Sequence, residues 1–202
     1  MNVLVKICGI TTPEALEAAL GAGADAVGFV FHEPSPRHLA PAQAADLAAR
    51  VPPGVRKVAV TLHPSQSTVD EILAALAPDV WQTDADDFDR IAVPTRVERW
   101  PVIRAGSVAA RQSLPFRLLF EGSRSGAGEV ADWSQAAELA SRAELILGGG
   151  LTPDNVGPAI AAVRPFGVDV SSGVESAPGR KDPALVWKFV TAARKAAEGV
   201  SR

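Results

Sequence analysis

Two hydrophobic patterns alternate along this chain, and they do so eight times. Short apolar runs rich in Val, Ile, Leu and Ala occupy residues 3–7, 26–31, 56–62, 80–82, 102–104, 118–121, 145–147 and 167–170. A stretch with helical spacing follows each run, at residues 13–20, 41–50, 68–76, 86–91, 108–113, 133–141, 153–163 and 183–198. Runs such as "AVGFVF" and "KVAVTL" are apolar at nearly every position, not at every second one. A strand of that kind is covered on both faces, as in a parallel sheet crossed by helices. Eight units in 202 residues leave about 25 residues each, close to the lower size limit of a closed (βα)8 barrel. The expected fold is therefore α/β: a single (βα)8 TIM barrel of eight parallel strands, with residues 1–202 as one domain. No Gly-, Ser- or Pro-rich linker is long enough to separate two domains. An open, doubly wound sheet is the competing arrangement.

Composition narrows the function. With 47% hydrophobic and 21% charged residues, the chain has material for a full core. A net charge of −3, with no block of like charges, argues against a nucleic-acid partner, which needs a basic face. One phosphate needs only a few local groups, so an anionic small molecule remains open. A single cysteine forms no internal disulfide, which excludes a stapled secreted scaffold. The N-terminus lacks a signal-peptide pattern, and no segment approaches 18 uncharged apolar residues. A cytoplasmic protein without a membrane span is expected, as a monomer or homodimer. Scarce Asn and a lone Met beside 16 Pro suit either a thermophile or a GC-rich genome.

Several motifs fall at strand ends. "GITTPE" after the first run is echoed by "GGLTPD" after the seventh, each with Thr, Pro and an acid in the order that opens a helix. In "ILGGGLTPDN", glycines let backbone N–H groups approach an anion at a helix start, or simply serve a turn that needs positive φ. "GVDVSSGVE" puts Ser171, Ser172 and Gly173 after the eighth run. In (βα)8 barrels the loops after strands seven and eight frequently bind phosphate, so Gly149, Gly150, Ser171, Ser172 and Gly173 form one candidate phosphate site. The three histidines show no metal-ligand spacing, and no metal site is expected.

Charged groups near the same ends are candidates for chemistry. Lys6 and Cys8 lie two apart on one strand and share a face. An ammonium there is expected to lower the thiol pKa. A carboxylate within a parallel strand, Asp169, needs a partner or a place at the mouth. Arg37, in "HEPSPRH", can fork onto a carboxylate or phosphate, although a solvated loop arginine is the commoner case. Glu121 ends the sixth run and is a candidate acid. Residues 121–133 continue as a small-residue loop suited to a lid, with Asp132 capping the next helix.

Taken together, "KICGIT", "GADAVGFVFHEPSPR", "GGGLTPDNV", "GVDVSSGVE" and "PGRKDP" resemble the phosphoribosylanthranilate isomerase family over nearly the whole chain, in its order and spacing. The resemblance implies a (βα)8 barrel, a small phosphosugar substrate, no cofactor and an Amadori rearrangement of an aminoaldose to an aminoketose. It implies Cys8 as general base and the loops after strands seven and eight as the phosphate site. Arg37 and Asp169 match substrate-contacting positions, and Lys6 belongs to the same substrate-binding set. The family's general acid is an Asp ending strand six, where this chain has Glu121, one methylene longer. A "QLHG" pattern common after strand four is reduced here to Gln82 in "WQTDA". Two alternatives stand beside it. The histidine-pathway isomerase runs the same rearrangement with paired aspartates, where this first strand carries Cys8. A barrel that binds phosphosugars without turnover is the other.

Overall fold

The computed structural model describes residues 3–106, 114–122 and 131–199. The helix expected at 108–113 lies outside these residues, as does 123–130 of the proposed lid.

Eight parallel strands close into a barrel in chain order: β1 (Leu4–Cys8), β2 (Ala26–Val30), β3 (Arg56–Val60), β4 (Val80–Asp84), β5 (Glu98–Arg104), β6 (Arg117–Glu121), β7 (Glu144–Leu147) and β8 (Gly167–Val170). Closure is made by β1 pairing with β8, Leu4 against Gly167 and Lys6 against Asp169. The open doubly wound sheet is thereby excluded.

The near-continuous apolar runs have a direct physical reason. Alternate residues of one strand serve two different cores. Ala26, Val58, Val80, Trp100, Val102, Leu119 and Ile146 point inward and fill the barrel. Their neighbours, among them Val27, Ala59, Trp81, Ile103, Phe120 and Leu147, face outward under the helices. Burying each Val, Leu, Ile or Phe among them contributes about 1.5–3 kcal/mol.

Helices α1 (Pro13–Ala22), α2 (Pro41–Ala48), α3 (Gln66–Leu76), α4 (Trp133–Ala140), α5 (Val156–Val163) and α6 (Pro183–Gly199) cover the sheet. Thr12 caps α1 by accepting from the Ala15 N–H, Ser65 caps α3 likewise, and Asp132 accepts from Ser134 and Gln135 as expected. Two expectations are corrected. After β4 only a short 3₁₀ turn forms, Ala85–Asp89. Its aspartates compete with the helical backbone, and the Asp87 carboxylate instead accepts from His63 and Thr83. The echo between "GITTPE" and "GGLTPD" holds only for the first, because α5 starts at Val156 and not at Pro153. There the Asn155 side chain closes the turn, accepting from the Thr152 N–H and donating to the Gly150 carbonyl.

The N-terminal end of the barrel is sealed by charge. Arg117 pairs with Glu98 and Glu144, Glu98 also pairs with Arg56, and the Arg117 guanidinium lies 4.3 Å from the Phe166 ring centre. Arg194 of α6 bonds the Val3 and Gly23 carbonyls and Asp25, tying the last helix to the first two strands. Chemistry is left to the opposite, C-terminal mouth.

Candidate active site

At that mouth lies a cavity of about 290 Å³, walled by the ends of β1, β2, β3, β4, β6 and β8 with the loops that follow them. Its polar wall includes Cys8, Arg37, Thr61, Gln82, Glu121, Asp169 and Ser171.

Cys8 reaches this wall from the last position of β1. Directly below, Lys6 is fully buried and donates to Asp169 Oδ1 at 2.8 Å. Gly28 on β2, in register with Cys8, makes room for both: a Cβ there would come within 3.0 Å of Sγ and 3.2 Å of Nζ. Burial works against the Lys6 charge, but Asp169 and then Cys8 attract it, and its pKa is raised to about 12. Both neighbours favour the charged form of Lys6 inside the barrel.

The thiol departs from expectation. Burial pushes the Cys8 pKa up, Lys6 pulls it down, Asp169 pushes it up again, and the net direction is upward. Sequence proximity to Lys6 suggested the opposite, because it revealed neither the depth of Cys8 nor the carboxylate that already shares the ammonium.

Gly9 has a φ of 76°, and a Cβ on it would meet Arg37 Cδ at 2.6 Å. The glycine of "KICG" therefore turns the chain and lets Arg37 cross. Arg37 is not the solvated loop residue that the sequence left open. It is 8% exposed and forks onto Glu175, Nε to Oε1 at 2.8 Å and Nη2 to Oε2 at 2.9 Å. One edge of the guanidinium is thus committed to protein, while the side chain still lines the cavity.

Of the five phosphate candidates, only Ser171 is on the cavity wall. Its hydroxyl donates to the Cys8 carbonyl at 3.0 Å, and Lys181 Nζ donates to the Ser171 carbonyl at 3.0 Å. Gly149 and Gly150 have φ of 79° and 61°, so the turn does require glycine there. A Cβ on Gly173 would fall 1.8 Å from the Leu151 carbonyl oxygen, so the loops after β7 and β8 lie in direct backbone contact. Ser172 opens a short 3₁₀ turn, Ser172–Val174, beside them.

Glu121 ends β6 on the wall, 3.4 Å from Arg104 Nη2, and Arg104 also pairs with Asp84. Asp169 and Glu121 thus have basic neighbours of different kinds, a buried lysine and a shared arginine.

Sequence reasoning missed three features. Glu175 and Lys181 come together through a small hairpin, β9 (Glu175–Ala177) with β10 (Arg180–Lys181), whose pairing had no strand-like signal. Arg104 gave no motif. Thr61 and Gln82, the second noted only as the remnant of a motif, are 5% and 6% exposed and line the cavity, and among the described residues Thr61 Oγ1 and Gln82 Oε1 have no protein partner. Buried polar atoms without partners mark places where a ligand's hydroxyls or amine can bond. Among the described residues, no three His, Cys, Asp or Glu side chains converge as a metal site. Nor, among those residues, is any helix long and apolar enough to cross a membrane.

A closed barrel with titratable side chains gathered at its C-terminal mouth is the arrangement of a (βα)8-barrel enzyme. Within that class, residues 5–192 match the family described as N-(5'phosphoribosyl)anthranilate (PRA) isomerase, and the chain belongs to it. An N-(5'-phosphoribosyl)anthranilate isomerase from Bradyrhizobium diazoefficiens is 42% identical, covering 96% of this chain and 95% of its own length. The crystal structure of TrpF from Jonesia denitrificans superposes with a TM-score of 0.80 at 34% identity, covering 97% of this chain and 98% of that one. Phosphoribosyl anthranilate isomerase in complex with reduced 1-(o-carboxyphenylamino)-1-deoxyribulose 5-phosphate has a TM-score of 0.79 at 31% identity, covering 98% of this chain and all of that one.

Proposed function

We propose that this protein isomerises N-(5-phosphoribosyl)anthranilate to 1-(2-carboxyphenylamino)-1-deoxyribulose 5-phosphate by general acid–base catalysis without a cofactor. The carrying observation is that Cys8 and Glu121 face one cavity from the ends of β1 and β6. The carboxyl of Glu121 gives a proton to the furanose ring oxygen, and the C1–O bond breaks to leave a Schiff base. The thiolate of Cys8 takes the proton from C2, and the electron pair moves into an enolamine. Tautomerisation to the ketone returns the proton, so the formula is unchanged. Lys6 stabilises the thiolate from below. Asp169 accepts a hydrogen bond from the substrate's amine, and the remaining edge of Arg37 faces its carboxylate. Ser171, Ser172, Gly173, Gly149 and Gly150 receive the phosphate through N–H and hydroxyl donors. One domain spanning residues 1–202, working in the cytoplasm as a monomer or homodimer, goes with this reading. No nucleic acid takes part.

The test is to incubate the protein with phosphoribosylanthranilate and follow the loss of anthranilate-type fluorescence. Turnover is expected, and Cys8→Ala and Glu121→Gln should each lower kcat by about two to four orders of magnitude. Tight binding of a reduced product analogue without turnover would instead mark a phosphosugar-binding barrel. A Glu121→Gln rate within about threefold of wild type would place the acid elsewhere.

A further inference from the structure

The buried carboxylate of Glu175 holds two cations, Arg37 and Lys181, and the reaction as written gives Glu175 itself no role. Its Oε1 accepts from Arg37 Nε at 2.8 Å and Lys181 Nζ at 2.7 Å. Its Oε2 accepts from Arg37 Nη2 at 2.9 Å and the Gly179 N–H at 3.3 Å. The side chains of Glu175 and Lys181 are 4% and 0% exposed. One anion against two cations leaves one positive charge in excess at the cavity's edge. Among the described residues Arg37 Nη1 has no protein acceptor, so the excess is presented on the wall that Arg37 lines. The hairpin also touches the loops after β1 and β2: Thr11 donates to the Gly179 carbonyl, and a Cβ on Gly179 would meet the Pro36 carbonyl at 2.3 Å. The carboxylate joins the hairpin to the loop after β2, and the loop after β1 is bonded to the same hairpin at Gly179.

We infer that Glu175 is a positioning residue for substrate binding: its fork fixes the Arg37 guanidinium so that the opposite edge receives the substrate's carboxylate. The role rests on the isomerase reading above. It operates through Arg37, so it is coupled to Arg37 and absent without it. A neutral amide at position 175 cannot accept both N–H groups in the same geometry, and the guanidinium then loses its fixed orientation.

The experiment is a double-mutant cycle on KM and kcat with phosphoribosylanthranilate, using wild type, Glu175→Gln, Arg37→Met and the double variant. Glu175→Gln should raise KM by roughly tenfold or more and change kcat by less than about threefold; in the Arg37→Met background it should change KM by less than about twofold. A single variant with wild-type KM, or losses that multiply in the double variant, overturns the inference. Where Glu175→Gln yields no folded protein, Glu175→Asp replaces it, since retracting the carboxylate by one methylene breaks the fork. Its KM should rise by about threefold or more, and again only with Arg37 present; an unchanged KM has the overturning meaning. Wild-type turnover in the same assay separates the two failures. If wild type is inactive, the isomerase reading falls. If wild type is active and the cycle is additive, only the role of Glu175 falls.

Discussion

Cys8 is the only cysteine in a chain without tyrosine, so absorbance near 240 nm reports its thiolate with no phenolate beneath it. Burial and Asp169 push its pKa up against the pull of Lys6. Titration of the free protein should therefore give a midpoint above the ordinary thiol range near 8.5. Asp169→Asn removes one of the upward pushes and releases Lys6 from its partner, so that midpoint should fall. A wild-type midpoint below the ordinary range, or one that rises in Asp169→Asn, would contradict the charge arrangement. The kcat/KM profile should rise with pH over the same interval, because it reports ionisations of the free enzyme. At this scale, much of the candidate site was legible. Lys6, Cys8 and Asp169 stand out because a polar side chain inside an apolar strand run demands a partner or a mouth. The direction of the thiol pKa was not legible, because it depends on depth and on a third group 161 residues away, Asp169 minus Cys8.

Helix starts were read correctly at Thr12 and Asp132, where the capping chemistry is local and each satisfies N–H groups within three residues. The third helix was expected from residue 68 but starts at Gln66, because Ser65 caps it two residues earlier. Replacing Thr12 by Ala should cost about 1 kcal/mol in denaturant unfolding. Gly173→Ala should be far more damaging than that cap, because its Cβ would overlap the Leu151 carbonyl at 1.8 Å and force apart the loops after β7 and β8. Comparing the two variants by unfolding midpoint and by KM separates the effects: Thr12→Ala should leave KM unchanged, and Gly173→Ala should raise it. Equal KM values would mean that the contact between these loops does not shape the site. Element reading failed where side chains outcompete the backbone. Residues 86–91 were expected as a short helix, yet Asp87 is consumed by His63 and Thr83, and Asn155 delays α5 in the same way.

Across the whole molecule, the two ends of the barrel are held differently. The N-terminal end is closed by ion pairs among Arg56, Glu98, Arg117 and Glu144, whose side chains are partly open to water and contribute little individually. The C-terminal end is tied by the buried Glu175 cluster. Burial raises the Glu175 pKa, but hydrogen bonds from Arg37 and Lys181 outweigh it and hold the group below the ordinary carboxylate range. Asp87 is depressed for a similar reason, with His63 and Thr83 as its donors. A carboxyl whose folded pKa is depressed contributes stability above its unfolded pKa, near 4.3 for Glu, and loses it as pH falls through the folded value. The thermal midpoint should thus drop as pH falls below about 4, and the gap between wild type and Glu175→Gln should narrow in that interval. A gap that stays constant from neutral pH to about pH 3 would show that the carboxylate charge is not what binds the loops.

Periodicity is a local property, and so the strand and helix alternation, the two-sided apolar runs and most caps were determined by sequence alone. The family's motifs added the candidate base and phosphate loops, since each sits within a few residues of a strand end. Which charges meet was decided only in three dimensions. Arg37 reaches Glu175 across 138 positions, and Lys6 reaches Asp169 across 163. Barrel closure sets those distances, and with burial they fix both the strength of the electrostatic interactions and the state of the one thiol at the mouth.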